Sequence, residues 1–420
     1  MTPSRIEADY LVETAFEARP AMEAAAGEQS SGTFVPVPGE TAELKARSAA
    51  RVESLEVVGE VEGPSLPGSG LPRGASHPKR VLARATLSWP LDNIGPSLPN
   101  LMATVAGNLY ELKQFSGLRL FDIRLPEAFA AAYPGPRFGI EGTRRLTGVE
   151  GRPLIGTIVK PSVGFSAVET AALVKVLCEA GIDFIKDDEL QSDGPSCPFD
   201  ERARAVMRVI NDHAQRSGRK VMFAFNITGE IDQMRSRHDL VESLGGTCVM
   251  ASLNSVGLAG MIALGRHTRL PIHAHRNGWG YLSRHPALGF DFVAWQKFWR
   301  LAGADHMHVN GLANKFSEPD ESVIASARAC LSPMFGSKPC VVMPVFSSGQ
   351  TARQAEGTYA ALGSVDLIHA AGGGIMAHPG GPQGGVAALR ESWDAAQAGI
   401  PAATYALTHP SLAAALGVGN

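Results

Sequence analysis

Apolar and polar positions change rhythm close to residue 150. Upstream, ADYLVETAFEA, RVESLEVVGEVEG and RVLARATLSWPL alternate with period two, which predicts half-buried strands. AMEAAAGEQ and SLPNLMATVAGNLYELK carry helical spacing instead. Residues 1–145 are therefore expected to form a small α+β domain. Between Gly63 and Pro78, GPSLPGSGLPRGASHP is too rich in Pro, Gly and Ser to build a packed element, and an exposed loop is expected there.

From Leu154 onward short apolar runs alternate with longer amphipathic stretches, the mark of a parallel sheet with crossover helices. Eight candidate strands follow: LIGTIVK, GIDFIKDD, VMFAFNI, GTCVMAS, LPIHAHR, ADHMHV, CVVMPVF and DLIHAAGGG. SAVETAALVKVLCEAG and DERARAVMRVINDHAQRSG are helical stretches between them. Eight such units and no glycine fingerprint after the first strand favour an α/β fold, a (β/α)₈ TIM barrel over residues 146–420, above an open doubly wound sheet. The tail from about Ala403 reads as helical and peripheral. Polar residues gather at one end of nearly every strand: Lys160; Lys186 to Glu189; Asn226; Asn254; His275 and Arg276; His308; Ser347; Gly372 to Gly374. In a barrel that end carries the chemistry.

At 420 residues the chain exceeds one barrel of roughly 250, which agrees with two domains. With 45% hydrophobic and 19% charged residues a large core is affordable and disorder is not expected. A net charge of −3 without a basic run argues against nucleic acid. The five cysteines are scattered and form no CxxC, so neither disulfides nor a zinc ribbon is indicated and a reducing cytoplasm fits. The N-terminus lacks the continuous apolar stretch of a signal peptide and no run of about 18 apolar residues occurs, so a soluble, unexported protein without a membrane partner is expected.

Lys186-Asp187-Asp188-Glu189 is the densest chemical signal. In a strand Lys186 and Asp188 share a face, and Glu189 joins them once the chain turns, giving hard oxygen ligands suited to Mg²⁺. Lys186 becomes a ligand if CO₂ adds to its neutral amine, an anion that nearby metal charge favours. The alternative is a surface turn with local ion pairs. His273-x-His275 and His306-x-His308 each put two imidazoles on one strand face, which admits zinc or, more simply, packing and hydrogen bonding; Arg276 next door opposes a cation. AAGGGIMAHPGG after the last strand offers backbone N–H groups to a phosphate, with Ser347, Ser348 and Gly349 as a neighbouring wall, or is only a turn. Lys315 in VNGLANKFSEPD is either an exposed loop lysine or the working residue of a mobile lid.

Taken together and in order, GTIVKPSVGFS, GIDFIKDDE, IHAHR, ADHMHVNGLANK, PVFSSG and AAGGG resemble the large subunit of RuBisCO and its non-carboxylating relatives, the RuBisCO-like proteins. GEQSSGTF and AGNLYELKQFSGLRLFDIRLP extend the likeness into the first domain, so that it covers essentially the whole chain. The resemblance implies that Lys186 is the carbamylated lysine, with Asp188 and Glu189 the other Mg²⁺ ligands. It makes Lys160 and His275 the acid-base groups and Lys315 the lid lysine, held by Glu28 of the partner subunit. Thr33, Gly349, Gly372 and Gly373 would bind one phosphate, and Asn108 from the partner would reach the metal-bound oxygens. Arg276, His308 and Ser347 would line the far end of the pocket. A homodimer with shared sites follows as the minimal active unit.

Three positions depart from the carboxylase pattern: Ser162, Trp279 and Phe34 stand where it has a lysine, a histidine and a tryptophan. Losing that histidine removes a cationic donor from the second phosphate site, which points to a substrate with one phosphate. The lid differs too, so CO₂ fixation is not expected, whereas the retained Lys160, Lys315 and His-Arg pair keep carboxylate and enolate chemistry within reach. The pattern lies nearest the RuBisCO-like decarboxylases that act on 3-oxo-isoapionate 4-phosphate, in which Mg²⁺ stabilises enolate charge as CO₂ departs. Enolisation or isomerisation of a methylthio-pentulose phosphate in methionine salvage is the runner-up. A carbamate-lysine zinc hydrolase is disfavoured because its HxH opens the first strand and its lysine comes later, the reverse of the order here.

Overall fold

A computed structural model describes residues 4–32, 37–76 and 78–418. Its strands, in chain order, begin with β1 (Arg5–Thr14), β2 (Arg51–Val61), β3 (Arg80–Pro90) and β4 (Gly117–Arg124). There follow β5 (Leu154–Ile158), β6 (Phe184–Lys186), β7 (Met222–Asn226), β8 (Cys248–Ser252) and β9 (Ile272–His275). The last are β10 (Leu288–Phe290), β11 (His306–His308), β12 (Met343–Phe346) and β13 (Ile368–Ala370).

The chain divides into two compact units, residues 1–133 with 278–298, and residues 134–277 with 299–420. The first holds a five-stranded sheet in the order β10-β4-β1-β3-β2. Strand β1 runs antiparallel to both β3 and β4, and its buried and partly buried residues alternate as the period-two pattern requires, with Ile6, Ala8, Tyr10 and Val12 inward. Strand β2, on the edge, has the same pattern in sequence but buries none of its residues. Among its described residues the proline- and glycine-rich loop contains no regular element, and it is pinned by Ser65, whose N–H donates to the Glu13 carboxylate at 2.8 Å. Strand β10, a late segment of the chain, pairs parallel to β4. Around it Trp279 packs with Trp295 and Phe292, ring centroids 4.9 and 5.6 Å away.

The second unit is a closed parallel barrel, in the order β5-β6-β7-β8-β9-β11-β12-β13 and back to β5. All eight strands expected from the sequence are in it. Its interior is filled by Leu154, Phe184, Met222, Ala224, Met250, Met343, Val345 and Ile368, with the buried rings of His273 and His306 centred 5.1 and 6.0 Å from that of Phe184. Gly156 is needed at the β5 face: a Cβ there would lie 3.0 Å from the Phe184 ring and 3.2 Å from Ile368. The crossover helices begin where their caps stand. In Ala167–Glu179, Ser166 accepts from the Glu169 N–H while the Glu169 carboxylate accepts from the Ser166 N–H, a reciprocal capping box. Phe199–Ser217 ends on Gly218 in the left-handed conformation, with Asp200 and Glu201 in its first turn favourable to the helix dipole. The tail folds into the short helices Ala402–Tyr405 and Pro410–Leu416. All five cysteines are free and buried, and no helix among the described residues is long and apolar enough to cross a membrane.

Candidate active site

Strand alternation splits the Lys186–Glu189 run. Lys186 ends β6 with its side chain 2% exposed, its Nζ 3.0 Å from the Asp187 carbonyl oxygen and 3.4 Å from Glu189 Oε2. Asp187 turns the other way. Its Oδ2 accepts from Nε and Nη2 of Arg202, both at 3.3 Å, and from the Asn226 N–H at 2.9 Å, with both side chains of the ion pair fully buried. Asp188 returns to the Lys186 side, where Lys160 Nζ donates to its Oδ2 at 2.6 Å. Asn226, at the end of β7, fixes the turn by donating to the main-chain oxygens of both Asp188 and Glu189 at 3.2 Å.

His275, at the end of β9, has Nδ1 3.2 Å from the Asn277 nitrogen and 3.3 Å from Asn277 Oδ1, and its Nε2 lies 3.4 Å from Glu189 Oε2. Lys160, Lys186, Asp188, Glu189 and His275 thus form one connected group. Burial would raise the Asp188 carboxyl, but the hydrogen bond from Lys160 and the charge of Lys186 hold it below its usual range. Burial also pushes the Lys186 ammonium down, against the pull of Glu189 and Asp188, and lowers His275, which the positive Lys186 reinforces.

The donor set suits a hard divalent cation. Two carboxylates stand beside a buried lysine whose ammonium form burial disfavours; CO₂ adding to its amine would make an N-carboxylate, a third oxygen ligand. The histidines of the two HxH runs are arranged differently. His273 and His308 share a hydrogen bond, Nε2 to Nε2 at 2.8 Å; His308 Nδ1 meets Ser347 Oγ at 3.0 Å; His306 Nε2 meets Thr143 Oγ1 at 2.7 Å. Burial keeps His273 and His308 neutral, and each bond needs one donor and one acceptor. Among the described residues a three-ligand grouping occurs elsewhere, at His238, Asp239 and His267. There both imidazoles already bond Asp239, and Arg269 lies 3.6 Å from its carboxylate, so a cation is opposed.

Arg276, next to His275, is buried and paired with Glu318, whose Oε2 also accepts from Asn310 Nδ2 at 2.6 Å and whose Oε1 accepts from Ser322 at 2.8 Å. Lys315 lies three residues earlier in a segment seated on the loop after β12. Its N–H donates to the Ser348 carbonyl at 3.2 Å, Gln350 Nε2 donates to the Leu312 carbonyl at 3.0 Å, and the ammonium stands 5.3 Å from the Phe316 ring. Gly349 has φ +86°, a conformation that favours glycine, with Lys315 alongside. The loops after β12 and β13 abut: a Cβ on Gly374 would lie 2.8 Å from the Gln350 carbonyl oxygen, whereas one on Gly372 would meet only Ile158, at 3.9 Å, and the space over Gly373 is open.

In the first unit Asn108 Nδ2 reaches Glu28 Oε1 at 3.5 Å, so these two expected site residues stand together; Thr33 and Phe34 lie outside the described residues. Ser162 accepts from Lys160 Nζ at 2.7 Å, a hydroxyl where the carboxylase pattern has a second lysine. Arg202 and Glu318 were not singled out in the sequence. The surplus carboxylate of the Lys186–Glu189 run and the apolar setting of Arg276 each call for an opposite charge, but nothing local says where it comes from.

Residues 139–418 match the model for the ribulose bisphosphate carboxylase large chain, catalytic domain, and residues 74–129 that for its N-terminal domain. A 3-oxo-isoapionate-4-phosphate transcarboxylase/hydrolase of Xanthobacter autotrophicus is 59% identical, over 98% of this chain and 99% of that protein. A 3-oxo-isoapionate-4-phosphate decarboxylase of Rhizobium etli is 46% identical, over 97% of each. The crystal structure of a RuBisCO-like protein from Burkholderia fungorum superposes with a TM-score of 0.93 at 50% identity, covering 98% of this chain and 99% of that one. Barrel, N-terminal sheet and the ordered motifs on the strand ends have one common explanation: the chain belongs to the RuBisCO large-chain family.

Proposed function

We propose that the protein is a Mg²⁺-dependent carbon-carbon lyase that decarboxylates 3-oxo-isoapionate 4-phosphate. The observation that carries this reading is the connected group of Lys160, Asp188, Lys186, Glu189 and His275, in which two proton-transfer side chains flank a carboxylate-rich site. The names of relatives at 59% and 46% identity support the substrate.

Lys186 as its carbamate, Asp188 and Glu189 would hold Mg²⁺, which supplies a Lewis acid for the developing enolate charge. In a 3-oxo acid the bond between the carboxylate and its neighbouring carbon breaks, CO₂ leaves, and the electron pair passes toward the ketone oxygen. Lys160, hydrogen-bonded to both Asp188 and Ser162, or His275, whose Nε2 lies 3.4 Å from Glu189, then protonates the carbon that bore the carboxylate. Lys315 meets the substrate carboxylate. Gly349, Gly372 and Gly373 with Thr33 take the phosphate, for which the open space over Gly373 leaves room. His308 and Ser347, joined by their hydrogen bond, line the distal wall with Arg276. Glu28 and Asn108, adjacent in the first unit, serve the site of a partner subunit, making a homodimer the active form. Buried free cysteines agree with a reducing cytoplasm.

A second reading, transfer of the carboxyl group followed by hydrolysis, is favoured by the name of the relative at 59% identity. The test is CO₂ release from 3-oxo-isoapionate 4-phosphate after preincubation with bicarbonate and Mg²⁺, with NMR of the product in D₂O. One CO₂ per substrate and deuterium at the former carboxyl-bearing carbon support decarboxylation. Conversion with the carboxyl retained supports transfer and hydrolysis. No conversion, with turnover of a methylthio-pentulose phosphate instead, would return the assignment to an isomerase.

A further inference from the structure

The distal end of the site is closed by a charge that belongs to the chain itself. Arg276 is buried, and the anion it faces is the carboxylate of Glu318, whose side chain is 12% exposed. Both Glu318 oxygens are engaged: Oε2 by Arg276 and Asn310, Oε1 by Ser322. Asn310 in turn accepts from Ser348 Oγ at 2.8 Å, and its carbonyl accepts from the Ser347 N–H at 3.2 Å. A carboxylate held by three donors in a desolvated pocket is costly to dislodge, and a second anion brought to the same guanidinium would be repelled by it.

We propose that Glu318 is a specificity-determining residue: as the resident anion on Arg276 it denies that end of the site to a second phosphate and limits the enzyme to monophosphates. This rests on the reading of Gly349, Gly372 and Gly373 as the one phosphate cradle, and it names what enforces that limit. Loss of the family's histidine at Trp279 removes a donor, but the Trp279 ring is packed with Trp295 and Phe292, so the exclusion needs another agent. Glu318 supplies it by repulsion as much as by occupancy, the means by which a site rejects a near-cognate ligand.

The experiment is calorimetric titration of the Mg²⁺- and bicarbonate-treated protein with ribitol 5-phosphate and ribitol 1,5-bisphosphate, for the wild type and for Glu318→Gln, which preserves shape and hydrogen bonding. In the wild type the monophosphate should bind at least as tightly as the bisphosphate. In Glu318→Gln the bisphosphate should gain about tenfold or more relative to the monophosphate, as expected when one like charge is removed at hydrogen-bond range. Adding Arg276→Met to Glu318→Gln should abolish the gain. An unchanged ratio in Glu318→Gln, or a gain that survives Arg276→Met, overturns the role of Glu318 while leaving the cradle intact. Binding of neither ligand to either protein overturns the cradle, and the inference with it.

Discussion

Lys160 and Asp188 meet across adjacent barrel strands, Nζ to Oδ2 at 2.6 Å, with the lysine side chain 46% exposed and the carboxylate 2% exposed. The lysine is half-exposed and the carboxylate buried, so Lys160 can exchange its carboxylate contact for a substrate oxygen while the Leu190 N–H still holds Asp188.

Lys160→Met should lower kcat/KM by about 10²–10⁴, the usual weight of a general acid-base group, with only a modest fall in the thermal midpoint, because Asp188 loses one hydrogen bond but keeps that from the Leu190 N–H. Steady-state kinetics beside a melting curve would check it, and parallel loss of both quantities would make Lys160 structural instead.

Lys186→Ala should abolish Mg²⁺-dependent turnover, and preincubation with bicarbonate, stimulatory for the wild type, should have no effect on the variant. Since the lysine is buried between carboxylates, the variant also leaves Asp188 and Glu189 closer to mutual repulsion. Wild-type-like activity in Lys186→Ala would remove this residue from the metal site.

Arg202 and Asp187 are a fully buried ion pair beneath the site. Arg202→Met should cost about 3–5 kcal/mol by stranding the carboxylate, and urea denaturation would read it. Double replacement with Asp187→Leu should recover much of the loss, because no uncompensated charge then remains.

His369 and His306 set an acid limit. Trp393 Nε1 donates to His369 Nδ1 at 2.9 Å, so the ring must be neutral there, and burial lowers His369 to about 4 and His306 to about 3. Their pKa values in the fold lie below the ordinary 6.5, so the stability tied to the neutral rings is present above pH 6.5 and is lost as pH falls toward 4. Calorimetry between pH 7.5 and 4.5 should show a falling midpoint, less steep in His369→Gln.

Much of this architecture was legible in the chain. The barrel strands carry continuous apolar runs that end in polar residues, and that pattern survives in a closed parallel sheet because both strand faces are buried and chemistry collects at one rim. Strand β2 was legible as a strand, yet its Val57 and Val58 lie 58% and 44% exposed, because alternation reports a strand and not what covers it. Strand β10 was not foreseen: three residues carry no periodicity, and their partner Leu118–Leu120 lies far upstream. At the site, Lys186, Asp188 and Glu189 announced themselves by adjacency. Arg202 and Glu318 answer buried charges from elements distant in sequence, and such pairing is visible only once the chain is folded.

The pairing of β10 with β4 also governs how this protein can be cut. A fragment ending at Tyr133 would lose the strand Leu288–Phe290 and expose one side of β4 as an open edge, a template for association with other chains. The complementary fragment would carry residues 278–298 with Trp279, Phe292 and Trp295 but without the sheet to which they belong. Neither half is a self-sufficient module, so truncation, shuffling and grafting succeed only when both lengths of chain travel together.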